Sequence, residues 1–173
     1  MRRSEPRGRL RGVAPVEAAI GVAIFGSLLA VAVPAFVREL HASRFVEPVE
    51  GLERMSAAAL DGSHGKPVGE AFPPSAPHTP SVVPRGKLEV DPPGTWDRPT
   101  WQALHFQPVA TGAPHAFAFA FENAPSAAMS RFVARANGDL DGDGNTSTFE
   151  LRGHTDGAAP AIDPGMYVEA ELE

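Results

Sequence analysis

Two groups of carboxylates in this 173-residue chain are spaced for chemistry. The first is the run Asp139-Leu140-Asp141-Gly142-Asp143-Gly144-Asn145, which continues to Glu150 and matches the calcium-loop pattern D-x-D-x-[DN]-G-x5-E at every specified position. Hard oxygen ligands at alternate positions can converge on one Ca2+, and Gly144 permits the sharp turn that brings the later ligands round. Three carboxylates this close repel one another unless a cation lies between them. The flanks read as strands, not as the helices of an EF-hand. That ranks Asp139, Asp141 and Asp143 as ligands above Asn145 and a nearby backbone carbonyl. Glu150 ranks last, because in a strand it points opposite to Phe149 and Leu151, towards solvent. The bland alternative for the same residues is a solvated Asx/Gly hairpin loop without metal.

The second group is one residue, Glu17, which stands just before an apolar run from Ala18 to Val37 that contains no other charge. Such a run can cross a bilayer as a helix of about 30 Å, at about 1.5 Å per residue. An ionised carboxylate near the membrane interior costs about 2.5–3.5 kcal/mol, so Glu17 calls for a cation. The nearest basic residues along the chain are Arg11 before it and Arg38 after the run. If the chain is cut after Gly12, the new α-amino group of Val13 sits four residues from Glu17, and a neighbouring subunit's amine can reach it.

Other chemistry is missing from the sequence. There is no cysteine, no G-x-S-x-G, no P-loop and no Gly-rich dinucleotide fingerprint. His41, His64, His78, His105, His115 and His154 show no HxxxH or HxH spacing, which argues against a zinc site. The chain reads as a non-enzyme. Removing the five arginines and one glutamate of residues 1–12 from the chain's 15 basic and 21 acidic residues leaves net −10. That sign argues against nucleic-acid binding.

The elements that must carry these residues begin with a basic segment, Met1 to Gly12, holding Arg2, Arg3, Arg7, Arg9 and Arg11. Five arginines before the span, against Arg38 and Arg44 just after it, put the N-terminus in the cytoplasm and the remainder outside. A basic leader ending in Gly12, Glu17 as fifth residue after it, Gly26, and the span's ending Ala32-Val33-Pro34-Ala35-Phe36 together resemble the type IV pilins and the pilin-like subunits of type II secretion systems. The chain departs from that family's usual pattern in having Val13 where Phe is common and Pro15 in the first helical turn, where proline is tolerated because that N–H has no intrahelical partner.

The resemblance implies cleavage by a prepilin peptidase after Gly12, methylation of Val13, and residence in the bacterial inner membrane as a precursor with the C-terminal part outside the cytoplasm. It further implies assembly by an inner-membrane machinery into a helical polymer of this or other pilin-like subunits, with Glu17 as the registering charge and Pro34 in the polymerisation helix. A type II secretion pseudopilin is the alternative within the family. Outside it, the rival is an exported, membrane-tethered calcium-binding adhesion module, with residues 13–37 serving as anchor or as a secretory signal cleaved after Ala30-Val31-Ala32.

The remaining sequence predicts an α+β fold, with a long membrane-spanning helix kinked near Pro34 leading to a small antiparallel sheet. After the leader 1–12 and the span 13–37, residues 38–61 continue the helix: Phe36, Leu40, Phe45, Val49, Leu52 and Met55 recur as one apolar stripe. Pro48 is expected to bend or break it near Glu47, with an end at Asp61-Gly62. Residues 62–114 are crowded with proline and read as a variable loop with sparse regular structure, anchored on the core by Trp96, Trp101, Leu104 and Phe106. Residues 115–173 read as a meander. His115 to Glu122 alternates Phe with Ala, Asn123-Ala124-Pro125-Ser126 turns the chain, and strands follow near Arg131–Ala136 and Thr146–Arg152. Calcium holding a C-terminal loop, as in some pilin-like secretion subunits, suits a chain without a disulfide.

Overall fold

A computed structural model describes residues 15–170, the side chains of 37–44 excepted. The leader, Gly12 and Val13 lie outside the described residues. The chain divides into two units, Met1–Ser43 and Arg44–Glu173. The described part of the first is helix α1, Pro15–Arg44, opened by a proline whose missing N–H is harmless in a first turn. The helix continues past Pro34. Over Pro15–Phe36 its mean hydropathy is 2.3 and none of it is buried.

The second unit is α+β. Helix α2, Val46–Ser63, lays Leu52, Met55 and Ala59 on one face of an antiparallel sheet of six strands. Those strands are β1 (Ala76–Thr79), β2 (Phe117–Ala124), β3 (Ser130–Gly138), β4 (Ser147–Thr155), β5 (Ala161–Ile162) and β6 (Tyr167–Glu169). They run in the order β1-β2-β3-β4-β5, with β6 also paired to β4. Register places Phe119 opposite Ala136 and Ala136 opposite Phe149, so large and small side chains alternate across the inner face. Gly51 makes the helix fit: a Cβ there would lie 2.5 Å from the Phe119 ring. Residues 117–121 are all buried, so both faces of this strand are covered.

The helix breaks at Phe45, two residues before the Glu47 position that Pro48 suggests. Helix α1 ends at Arg44 and α2 starts at Val46, which leaves Pro48 inside the first turn of α2, where no N–H is needed. The helix then runs to Ser63, two residues beyond the expected end.

The proline-rich stretch carries more regular structure than its composition suggests. It holds a 3-10 turn at Val68–Glu70, strand β1 and helix α3, Pro99–Ala103. Helix α3 ends on a Schellman motif: His105, at φ 47°, donates its N–H to Gln102 O (3.1 Å) and Phe106 donates to Trp101 O (2.9 Å). Trp96, Trp101, Leu104 and Phe106 join the core as expected, with the Phe106 and Phe119 rings 5.2 Å apart. Arg54 of α2 clamps the same stretch, donating to Pro108 O at 2.6 Å while its guanidinium lies over the Phe106 ring.

A second tie is polar. The Glu47 carboxylate accepts the N–H groups of Ala116 (3.1 Å) and Phe117 (3.1 Å). Burial pushes the Glu47 carboxyl up from its ordinary range, against the pull of those two bonds and of His115.

Candidate functional site

The acidic loop begins where β3 ends. Asp139 is buried, and the loop closes around its carboxylate: Oδ1 accepts the N–H of Gly142 at 2.7 Å and Oδ2 accepts that of Gly144 at 3.1 Å. Both glycines hold positive φ, 84° and 99°, which lets the backbone turn its N–H groups inward. Asp141 and Asp143 repeat the theme as exposed Asx turns: Asp141 Oδ1 accepts from Asp143 N, and Asp143 Oδ1 accepts from Asn145 N.

One carboxylate oxygen from each of Asp139, Asp141 and Asp143 lies within 4.8 Å of the others. Three anionic oxygens at that separation suit a hard divalent cation completed by carbonyls and water, the donor chemistry of Ca2+. Asn145 is beside them, its amide donating to Asp143 Oδ2 at 2.8 Å.

Glu150 is placed elsewhere, which corrects two expectations. It is not among the clustered carboxylates, and its side chain is 8 % exposed rather than solvent-facing. It does point opposite to Phe149 and Leu151, but arginines cover that outer face. Arg135 Nε donates to Glu150 Oε1 at 2.7 Å, Arg152 donates to Oε2 at 2.8 Å, and Arg135 also reaches Glu122 at 2.9 Å. Burial alone would raise the Glu150 carboxyl; the bonds from Arg152 and Arg135 outweigh it and hold the group below its ordinary range. Both oxygens of Glu150 are thus turned to arginines on the sheet and away from the clustered aspartates.

Sequence reasoning missed the strap across the loop. Gly86, in the proline-rich stretch, donates its N–H to Asp139 O at 2.7 Å, and Arg85 Nε sits 3.8 Å from Asp139 Oδ2. Gly86, at φ 61°, packs so closely that a Cβ would meet Asp141 O and Gly142 Cα at 3.3 Å. The pairing spans more than 50 residues, and only the glycine hinted at it.

In the other unit, Glu17 occupies the first turn of α1, where a negative charge suits the positive end of the helix dipole. Further along, Ser27 satisfies its hydroxyl by donating to Ala23 O at 2.8 Å, so a polar residue sits in the apolar run without an open hydrogen bond. Pro34 lies in the same helix. Compared with protein-family models, with curated proteins and with solved structures, the chain matches none.

Proposed function

We propose that this chain is a non-enzymatic structural subunit of a type IV pilus-like fibre, made as an inner-membrane precursor, cut after Gly12 and assembled through α1. One observation carries the reading. A helix of 22 residues from Pro15 to Phe36 is apolar on every side and buries none of itself, while the second unit has a complete core of its own. A helix hydrophobic all round is meant for an apolar environment supplied from outside it. Lipid supplies that environment to the precursor, and the helices of other copies supply it in the fibre. Glu17, the one acid of the span, then sets register by pairing with a neighbouring subunit's N-terminal amine, and methylation of Val13 follows the cut. A pseudopilin of a secretion system uses the same parts.

In this reading the acidic loop holds Ca2+ through Asp139, Asp141 and Asp143, outside the cytoplasm, and fastens the end of β3 in a chain without cysteine. An apolar N-terminal helix is also what a simple anchor or a secretory signal has, and the adhesion-module reading keeps the calcium loop while dropping the fibre.

The N-terminal residue and mass of the mature protein from membranes separate these. A start at Val13, heavier by one methyl group, supports the fibre subunit. A start near Val33 overturns it and leaves the sheet domain as the whole functional protein.

A further inference from the structure

His115 sits where three elements meet, and its side chain is 0 % exposed. Its backbone pairs with Glu89 of the proline-rich stretch, each residue donating its N–H to the other's carbonyl at 2.9 Å. Its ring Nδ1 lies 2.9 Å from Phe117 O in β2, and its Nε2 lies 2.8 Å from Asp91 Oδ2. The same Asp91 oxygen accepts the indole N–H of Trp96 at 2.7 Å. The carboxylate of Glu47, from α2, completes the surroundings at 4.0 Å from Nδ1.

The carbonyl of Phe117 can only accept, so Nδ1 carries a hydrogen. That leaves Nε2 facing a carboxylate oxygen at hydrogen-bond distance. The contact is attractive only if a proton lies between them, either on the ring, as an imidazolium, or on the acid. Without it, two acceptors face each other at 2.8 Å, the ring wholly buried and the carboxylate largely so. Turning the ring over would set C–H groups against both oxygens and mend nothing.

We propose that a proton shared by His115 Nε2 and Asp91 Oδ2 latches the proline-rich stretch onto the helix–sheet unit, and that its loss frees residues 87–97 while the sheet stays closed. The asymmetry follows from what else holds each part. Strands β2, β3 and β4 are tied by continuous ladders. Residues 87–97 depend on the Glu89 bridge, the Asp91 contacts and the burial of Trp96. The charged groups facing the ring are Asp91 and Glu47, with Glu89 bridged to its backbone and ion-paired to Lys87 at 3.4 Å.

The test uses the full chain in detergent micelles, isotope-labelled, with His115→Gln identifying the ring signals. At neutral pH, nitrogen shifts should show both ring nitrogens protonated, or carbon shifts should show Asp91 protonated. A neutral ring beside an ionised Asp91 overturns the proposal. Amide exchange then reads the latch. On raising the pH, protection factors at Glu89 and His115 should fall by at least about tenfold, while those in β3 and β4 hold. In Asp91→Asn an amide N–H can donate to the neutral ring, so the alkaline loss should vanish in a folded protein. An equal loss in that variant, or none in the natural chain, overturns the proposal.

Discussion

In α1, Phe25, Leu28, Leu29 and Phe36 are all exposed, whereas in β2 Phe117, Phe119 and Phe121 are buried completely. The two segments are built from similar residues. What differs is periodicity and company. Strand β2 sends its rings to one face, where α2, Trp96 and Phe106 cover them, and its alanines to the other. Helix α1 spreads its apolar residues around the whole cylinder, a pattern that one neighbouring face cannot cover. Apolar content alone therefore says little about where a segment ends up; its arrangement decides whether the chain or the surroundings must supply the cover.

The comparison can be broken most forcefully at its centre. Phe119→Ala removes a fully buried ring and should lower the stability of the second unit by about 3–5 kcal/mol, read from denaturant unfolding, with membrane association unchanged. Leu28→Arg should do the reverse: a cost of about 2.5–3.5 kcal/mol in membrane insertion, read by fractionation, and an unfolding curve that does not move. If Leu28→Arg destabilised the sheet unit, the two regions would not be independent.

An effect at the lower end of that range is expected at the acidic loop. Ca2+ at one hundred times its dissociation constant should stabilise the second unit by about 2.7 kcal/mol, lost on chelation and absent in Asp141→Asn. Smaller still is the pH dependence of two glutamates shifted in opposite senses. Glu150 is held low, so the stability it contributes is present above the ordinary carboxylate value of about 4.3 and is lost as pH falls through its lower folded value. Glu47 is held high, so its contribution is present below that ordinary value and is lost as pH rises through its higher folded one. Unfolding midpoints against pH should therefore show Glu150→Gln flattening the acid limb and Glu47→Gln flattening the limb above it.

Long periodic segments were legible in the sequence. The apolar run gave α1, the Phe/Ala alternation gave β2, and the meander followed, although its first turn lies at 125–129, because Asn123 and Ala124, expected in the turn, still pair with Phe132 and Arg131. Strands β1, β5 and β6 were not, because two to four residues carry no readable period and their places are set by pairing with a partner already formed. Pro48 pointed to a break but not to its position, since the first turn of a helix accepts proline as readily as a loop does. At the loop, the aspartates did gather as their spacing suggested. Glu150 did not, because its fate depended on Arg135 lying directly across the ladder, and cross-strand register cannot be read from one strand. The Glu47, His115 and Asp91 junction left no local trace, each residue coming from a different part of the chain.

The strand order has a consequence for how the protein comes into being. Strands β2, β3 and β4 are adjacent both in sequence and in the sheet, so each can close on its predecessor as a hairpin as soon as it has been synthesised. The helix α2 that caps them has already left the ribosome by then. A chain with this order can close its three central strands from neighbouring segments as they emerge, before the more distant proline-rich stretch is fitted against them.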